Sequence, residues 1–282
     1  MTYREIYRWG QEMLEKAEVA EAAENARLLL EFCCGTDRNT LLAHGDREIS
    51  PAEAGHYEEC IIRRGEHIPL QHITGVQDFM GLTFYVDRNV LIPRQDTEIL
   101  VEEAMRHLHD SMRILDLCTG SGCILLSLLH YSNDCTGMGA DLSKEALGVA
   151  EQNAERIQGV KDRVTFVQGN LFECIDARER FDLIVSNPPY IKTDVIESLM
   201  PEVRDHEPWL ALDGKKDGLF FYREITSQAG RYLTGGGMLF FEIGYDQGED
   251  VRRLMEEAGY VDVRVVQDYA GLDRVVYGEY RL

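Results

Sequence analysis

The stretch between residues 112 and 130 constrains the fold most, because a strand pattern, a glycine turn and an apolar helix follow one another directly. Met112–Leu117 has the composition of a buried strand, and Ile124–His130 has that of an apolar helix. The glycines within Cys118–Cys123 let backbone approach a ligand and leave helix N–H groups pointing at it. A lone Gly-x-Gly is a weak signal, but it predicts a ligand site at the carboxyl end of this strand, beside Asp116.

The next unit along the chain repeats this pattern and adds an acidic residue. Thr136–Ala140 is a predicted strand that ends at Asp141, and Ser143 is the predicted cap of the following helix. Asp141 comes 21 positions after Gly120, and an acidic residue at this place is suited to hold the two hydroxyls of a ribose. The alternative is that Asp141 is only a polar loop residue.

Two further predicted strands also end in polar residues. Arg163–Val167 is followed by Asn170, which could hydrogen-bond an adenine amine, and by Leu171, which could cover the ring. A simple polar turn is the alternative for these two residues. Phe181–Val185 leads into Ser186–Tyr190. Because the carboxyl ends of parallel strands meet at one edge of a sheet, we expect four strand ends to converge on one crevice.

The tetrapeptide Asn187-Pro188-Pro189-Tyr190 combines a side-chain amide, a rigid backbone and a planar ring. Its two prolines fix φ and remove two N–H donors, which leaves carbonyl oxygens free for another partner. The side-chain oxygen of Asn187 and the carbonyl of Pro188 can accept the two hydrogens of a planar NH₂ group, while Tyr190 stacks on its face. The alternative is a Pro-Pro turn in which Asn187 only caps the loop.

The remaining patterns predict an α/β fold. They indicate helices over 217–231 and 247–258, a strand over 237–243, and a closing β pair over 261–266 and 274–280. About seven strands interleaved with helices imply a doubly wound, Rossmann-like sheet with an antiparallel edge strand.

A small all-helical domain precedes this sheet. Thr2-x-x-Glu5 is a capping box, and further helices are predicted over 21–34, 39–44 and 51–64. The predicted boundaries are 1–68 for this domain, 69–95 for a β-hairpin linker and 96–282 for the catalytic domain. The helical domain carries no acid–base pair or nucleotide loop, so its apolar stripes are either simple core or part of a lid or partner-docking module.

The linker and the helix after it contain two more expectations. Short β-rich pieces broken by glycine, among them Ile73–Val76, predict the hairpin. Thr97 or Asp96 is the predicted cap of a helix that runs to Leu108, and Arg94 beside it could reach an anion or a carboxylate.

Composition argues against several classes of function. The formal net charge is −21 and no Lys/Arg cluster is apparent along the chain, so direct binding of DNA or RNA is not expected. The seven cysteines form no C-x-x-C pair, which predicts free thiols and no metal site. Without a targeting signal or a long apolar run, we expect a cytoplasmic protein that does not contact a membrane.

Taken together, the motifs resemble class I S-adenosylmethionine-dependent methyltransferases that act on amino or amide nitrogen. The motifs are Asp116-Leu-Cys-Thr-Gly-Ser-Gly122, Asp141 and Asn187-Pro-Pro-Tyr190. Three flanking segments are similar to the release-factor glutamine N5-methyltransferase family, often called HemK or PrmC: Ile92–Glu98, His206–Asp213 and Gly271–Val276. With the helical domain included, the resemblance covers nearly the whole chain.

The resemblance implies S-adenosyl-L-methionine as the cofactor, S-adenosyl-L-homocysteine as its product, and the glutamine of the Gly-Gly-Gln motif in peptide chain release factors as the substrate. It also implies a monomer whose helical domain recognises the substrate. The cofactor contacts that it implies are Asp116, Cys118, Thr119, Gly120, Ser121, Gly122, Asp141, Asn170, Leu171 and Asn187. Substrate binding is implied for Asn187, Pro188, Pro189 and Tyr190, with Asn187, Pro188 and Tyr190 taking part in catalysis.

The sequence departs from the family pattern at two positions: Cys118 stands where glycine is usual, and Gln95 stands where proline is usual. Two related activities remain open as alternatives. One is methylation of a glutamine in another translation or ribosomal protein, and the other is methylation of adenine N6 in a nucleic acid, which offers the same planar NH₂. A non-catalytic cofactor-binding protein is a third alternative, against which the presence of Asn187 and the glycine turn counts.

Overall fold

The computed structural model describes residues 1–281, so the predicted end of the catalytic domain at residue 282 lies outside the described residues. Its α-helices are α1 Tyr3–Lys16, α2 Ala22–Cys34, α3 Arg38–Ala43, α4 Pro51–Gly65, α5 Leu70–Thr74, α6 Gln95–Met105, α7 Cys123–His130, α8 Lys144–Arg156, α9 Pro201–Arg204, α10 Trp209–Leu212, α11 Phe220–Ala229 and α12 Gly248–Glu257. Its strands are β1 Val76–Phe79, β2 Leu82–Tyr85, β3 Arg113–Leu117, β4 Thr136–Asp141, β5 Val164–Gln168, β6 Phe181–Ser186, β7 Leu233–Glu242, β8 Tyr260–Gln267 and β9 Asp273–Tyr280. Among the described residues, no helix is both long and apolar enough to cross a membrane.

A seven-stranded sheet forms the centre of the larger unit, in the order β5-β4-β3-β6-β7-β9-β8. Neighbouring strands from β5 to β7 are parallel, and β9 is antiparallel to both β7 and β8. The predicted doubly wound sheet with an antiparallel edge is therefore confirmed, and its antiparallel strand is β9, inserted before the outermost strand β8. The strand order reverses at β3 and β6, which is where open α/β sheets bind ligands.

The central strands are buried on both faces. Ile114 of β3 packs in one apolar cluster with Leu125 of α7, and Leu115 packs in a second cluster with Tyr222 of α11. Successive side chains of a strand point to opposite faces, so a nearly continuous apolar run needs helices on both sides. Polar groups of these strands are consequently concentrated near their carboxyl ends.

The smaller unit consists of Met1–Val76 together with Met200–His206. Its helices α1 and α4 both begin with capping boxes, in which the side chains and backbone of the N-cap and third residues bond reciprocally, and the box of α1 is the predicted Thr2-x-x-Glu5. The short later segment is held by Arg64, which is buried and donates to Glu202 Oε1 over 3.0 Å. Arg64 also donates to Asn25 Oδ1 over 2.8 Å, so the ion pair is part of a hydrogen-bonded network.

Two local predictions were wrong, although β1 and β2 pair as the predicted hairpin. Ile73 and Thr74 were assigned to β structure, but they belong to the helix α5, which ends where Gly75 adopts a left-handed φ of 75°. The helix α6 was expected to be capped by Thr97 or Asp96, but its N-cap is Arg94 and it ends at Met105. Thr97 therefore lies inside the first turn of α6, where its hydroxyl has a different use.

Candidate active site

The glycine turn that connects β3 to α7 is held by backbone geometry. Its Thr119 N–H donates to the carbonyl of Ala140 in the neighbouring strand over 3.1 Å, and Gly122 N–H donates to Thr119 O over 2.8 Å. Gly122 has a φ of 78°, and a Cβ at this position would lie 3.0 Å from Leu126 Cδ1, so glycine is required here. Because α7 has no side-chain cap, its first N–H groups are available to a ligand.

Asp116 supports this turn from within the sheet. Thr119 Oγ1 donates to Asp116 Oδ2 over 2.6 Å, whereas Asp116 Oδ1 has no hydrogen-bond partner among the described residues. Burial raises the pKa of Asp116 to about 7, against the opposing effect of the Thr119 hydroxyl. The site therefore contains a buried carboxylate whose charge is only partly compensated by the protein.

Asp141 ends β4 and joins the glycine turn to the next helix. Its Oδ2 accepts from Gly120 N–H and its Oδ1 from Ser143 N–H, each over 2.9 Å. Burial raises the pKa of Asp141, and these backbone hydrogen bonds oppose the rise. A carboxylate oxygen can accept more than one hydrogen bond, so the same side chain can hold the turn and a ligand hydroxyl.

Cys118 adopts a left-handed backbone conformation, with a φ of 60°. This conformation costs an L-residue roughly 1–2 kcal/mol, because the Cβ crowds the following carbonyl. Glycine avoids this cost, which gives a physical reason for a preference for glycine at such a turn position. Burial raises the pKa of the Cys118 thiol, so its side chain is a neutral part of the wall.

Asn187 follows β6 directly and is oriented by Thr97. The Asn187 side-chain NH₂ donates to Thr97 Oγ1 over 3.4 Å, and Thr97 is itself buried in the first turn of α6. Among the described residues, no hydrogen bond reaches the Oδ1 atom of Asn187. The side chain is thus held through its donor while its acceptor stays free.

Tyr190 is anchored through both its hydroxyl and its backbone. The hydroxyl donates to Glu242 Oε1 over 3.3 Å, and Gln247 Nε2 donates to the Tyr190 carbonyl over 3.1 Å. Glu242 ends β7 and is buried, and burial raises its pKa. Burial likewise raises the pKa of Tyr190, so the phenol is neutral and serves as a hydrogen-bond donor.

Arg94 does reach a carboxylate, as the sequence suggested. One of its terminal nitrogens lies 2.7 Å from Glu207 Oε1 and 2.6 Å from Glu207 Oε2. The Glu207 side chain is 1% exposed and also accepts from Ile92 N–H over 3.4 Å. Burial raises the pKa of Glu207, and the Arg94 guanidinium opposes the rise. The ion pair between them fixes the segment before α6.

One cleft brings these segments together, with about 1090 Å³ of empty space of which part is open solvent. The predicted site residues that line it are Cys118, Thr119, Gly120, Ser121, Asp141, Asn170, Leu171, Asn187 and Pro189. The predicted site residues outside its lining are Asp116, Gly122, Pro188 and Tyr190. Asn170 lines it, and its side-chain nitrogen donates to Glu173 Oε1 over 3.2 Å, so this contact does not use its side-chain oxygen.

Sequence reasoning gave no site role to Thr97, Glu207, Glu242 or Gln247. Thr97 was interpreted as a cap, and Glu207 acts only through its contact with a residue 113 positions earlier. Glu242 did carry a signal, because it is an acidic residue at the end of an apolar strand, as Asp116 is. The other contacts depend on tertiary structure and leave no local pattern.

The smaller unit has a concave surface of its own, which we call the arginine groove. It is lined by Tyr3, Arg4, Tyr7, Arg8, Ala23, Glu24, Arg27, Leu30, Arg38, Leu41 and Leu42. Four of the eight Lys and Arg side chains of residues 1–76 lie there, although this stretch is acidic overall. Arg27 pairs with Glu24 and Glu31, but Arg4, Arg8 and Arg38 form no ion pair within residues 1–281.

Comparison with protein families matches both parts of the chain. Residues 5–75 match the PrmC N-terminal domain, and residues 108–259 match a methyltransferase domain. The release factor glutamine methyltransferase of Geobacter sulfurreducens is 43% identical over 277 residues, which cover 98% of this chain and 96% of that protein. The protein of the same name from Moorella thermoacetica is 42% identical and covers 97% of both chains.

A solved structure shows the same fold at low identity. The methyltransferase from Pyrococcus furiosus superimposes with a TM-score of 0.54 at 16% identity, over 72% of this chain and 91% of that one. At this identity the likeness concerns the fold alone.

Proposed function

The chain belongs to the release factor glutamine methyltransferase family, and from this premise we propose how its crevice performs the reaction. The enzyme transfers a methyl group from S-adenosyl-L-methionine to the side-chain amide nitrogen, N5, of the glutamine in the Gly-Gly-Gln motif of peptide chain release factors. The observation that carries the proposal is the free Oδ1 of Asn187, held at the end of β6 beside the cavity that the glycine turn also lines.

The donor set of the crevice suits S-adenosyl-L-methionine. The cofactor carries two positive charges, and the crevice offers two carboxylates, Asp141 in the cavity lining and Asp116 buried behind the turn. In the proposal, backbone of Cys118–Gly122 holds the methionine part, Asp141 the ribose hydroxyls, and Asn170 with Leu171 the adenine. When bound, the cofactor supplies an electrophilic methyl group. Because Asp116 and Gly122 do not line the cavity, they support the turn from behind it.

The chain itself supplies orientation of the glutamine amide. This nitrogen is a poor nucleophile because its lone pair is delocalised into the carbonyl. Asn187 Oδ1 and the Pro188 carbonyl accept the two amide hydrogens, which directs the lone pair towards the methyl group and stabilises positive charge growing on nitrogen. Correct placement of two reactants lowers a barrier by roughly 7–11 kcal/mol in well-oriented systems. The amide proton becomes acidic after transfer and leaves to water, so no strong base is needed.

Tyr190 and Thr97 have different parts in this arrangement. Thr97 fixes the amide of Asn187 so that its oxygen faces the substrate. In the proposal, the ring of Tyr190 stacks on the planar amide of the substrate. The hydrogen bond from its hydroxyl to Glu242 keeps the ring in place. Glu242 is therefore a positioning residue, since in this proposal it acts only through the Tyr190 hydroxyl.

We assign docking of the release factor to the arginine groove of the helical unit. Within residues 1–281, three arginines of the groove have no ion-pair partner. Next to the exposed Leu42 and the ring of Tyr7, they suit an acidic segment of a protein that also carries an apolar side chain. A concentrated basic site is needed for such an encounter because the enzyme carries a net charge of −21. The enzyme would act as a monomer in the cytoplasm, where seven free thiols are stable.

One experiment tests the substrate directly. The purified enzyme is incubated with methyl-labelled S-adenosyl-L-methionine and either a release factor or adenine-containing DNA, and the labelled atom is located by mass spectrometry. We expect label on the glutamine of the Gly-Gly-Gln motif and none on DNA. Label on adenine, or on another glutamine only, would overturn the assignment.

A further inference from the structure

Two cysteines and a histidine of the smaller unit lie together outside both the crevice and the arginine groove. Cys33 comes from the last turn of α2, and His56 and Cys60 come from α4. Their possible ligand atoms all lie within 4.8 Å of one another. His56 and Cys60 are four positions apart on one helix, so their side chains share a face, and this face meets α2. The cluster is a product of helix packing and has no sequence motif.

The spacing of the two sulfurs is that of a tetrahedral metal site. Cys33 Sγ lies 3.7 Å from Cys60 Sγ. Two thiolates bound at about 2.3 Å to one tetrahedral zinc ion lie about 3.8 Å apart. A disulfide would need a separation of about 2.0 Å, and both cysteines are free thiols.

The third side chain can complete the set with a small movement. A zinc-bound imidazole nitrogen lies about 3.6 Å from each neighbouring sulfur, so a displacement of about 1 Å brings His56 into position. His56 is exposed, and its described ring contact is with Phe32 at a centroid distance of 5.7 Å. Cys60 is buried and Cys33 half-buried, which leaves the cluster reachable from solvent on the histidine side.

We propose that Cys33, His56 and Cys60 bind one zinc ion, with a water as the fourth ligand. This function is separate from methyl transfer, and the ion would tie α2 to α4. Binding deprotonates the two thiols and releases both protons to solvent, so affinity rises with pH. The proposal replaces the expectation of no metal site, which rested on the absence of a C-x-x-C pair.

Cobalt is a suitable probe, because tetrahedral cobalt bound to thiolates absorbs strongly in the visible range. The full-length, untagged, reduced and metal-free protein is titrated with Co²⁺, and then with Zn²⁺ to displace it. We expect one cobalt per chain, loss of the absorption on addition of zinc, and a higher melting temperature with zinc. Cys33→Ser, Cys60→Ser and His56→Ala should each weaken binding by at least about tenfold.

Cys34→Ser is the matched control, since Cys34 is adjacent in sequence but interacts with Tyr3 instead. It should bind cobalt as the wild type does. Cys33→Val keeps the apolar packing of α2, and unchanged methyl transfer by this variant would show that it is folded. Absence of thiolate absorption in the reduced protein, or its persistence in both Cys33→Val and Cys60→Ser, would refute the site.

Discussion

The crevice at the strand ends and the arginine groove are both concave, but they differ in charge. The crevice has carboxylates with little exposure to solvent, whereas the groove has exposed guanidinium groups. The crevice has the half-buried Asp141 in its lining and the buried Asp116 and Glu207 outside the lining, and burial raises the pKa of all three carboxyl groups. The groove presents guanidinium groups, of which Arg4, Arg8 and Arg38 are exposed. Buried carboxylates suit a small cationic cofactor, whereas exposed arginines suit an acidic surface that binds and leaves again. The crevice should therefore govern turnover and cofactor affinity, and the groove should govern substrate affinity.

Asn187→Ala tests the crevice at its centre, and we expect the largest effect. Loss of the amide removes an oriented acceptor that acts on the developing charge, and removal of one such group typically lowers kcat by about 10²–10³-fold. Steady-state kinetics with a release factor would measure it, together with cofactor affinity by calorimetry. Asn170→Ala is the matched control, since it truncates the same residue type in the same cavity and should affect mainly the KM for the cofactor. Equal turnover in the wild type and Asn187→Ala would remove the amide clamp from the proposal.

The two regions also differ in how far their residues could be predicted from the sequence. Asn187, Asp141 and the glycine turn stand at the ends of predicted strands, and parallel strands place their carboxyl ends together whatever the loop details. Thr97 could not be assigned, because the predicted start of α6 was two or three residues too late, and Thr97 was therefore interpreted as a cap. Such shifts matter little for a fold but decide which side chain contacts the site.

The arginine groove could not be predicted, because its cations come from separate helices. Arg4 and Arg8 lie on α1, Arg27 on α2 and Arg38 at the start of α3. Along the chain they alternate with acidic residues, so the sequence shows no basic run. Packing of α1 against α2 brings these arginines together. The net charge of the whole chain does not show such a local concentration of positive charge.

Asp141→Ala should weaken cofactor binding by about 10–100-fold, as expected for lost hydrogen bonds to a charged acceptor. The variant removes the carboxylate that is proposed to hold the ribose and that accepts from Gly120 N–H. Both the cofactor and the glycine turn therefore lose a hydrogen-bond acceptor. Calorimetry with S-adenosyl-L-methionine would measure the change. Asp162→Ala, at an exposed position outside the cavity lining, serves as the control. Unaltered affinity in Asp141→Ala would mean that the ribose is held elsewhere.

Reversing two charges in the groove should raise the KM for the release factor by roughly tenfold with kcat unchanged, because exposed interface charges act mainly on association. The variant Arg8→Glu/Arg38→Glu tests this, measured at low and at high salt, since screening should reduce the difference. Arg63→Glu changes an exposed arginine of the same unit outside the groove and is the control. A fall in kcat without a change in KM would contradict a docking role.

Asp116 predicts a pH dependence of stability with a definite sign. Its pKa of about 7 in the fold lies above the usual value, so between about pH 4 and 7 the folded chain retains a proton that the unfolded chain loses. The free energy of unfolding should accordingly fall as the pH rises, by up to about 1.4 kcal/mol per pH unit from this group. Urea unfolding of the cofactor-free protein at several pH values would measure the slope. Asp116→Asn should flatten it, and an identical slope in this variant would assign the effect to other carboxylates.

Cys118→Gly should have the smallest effect, and it tests whether the crevice stores backbone strain. The left-handed φ of 60° favours glycine by roughly 1–2 kcal/mol in the folded state. The greater conformational freedom of glycine in the unfolded chain offsets about 0.5–1 kcal/mol of this preference. We therefore expect the free energy of unfolding to rise by about 0.5–1 kcal/mol. Cys118→Ala is the control, because it removes the thiol but keeps the Cβ and its strain. Denaturant unfolding should therefore rank the glycine variant above the alanine variant, and the reverse order would show that the left-handed backbone at this position does not lower the stability of a residue with a Cβ.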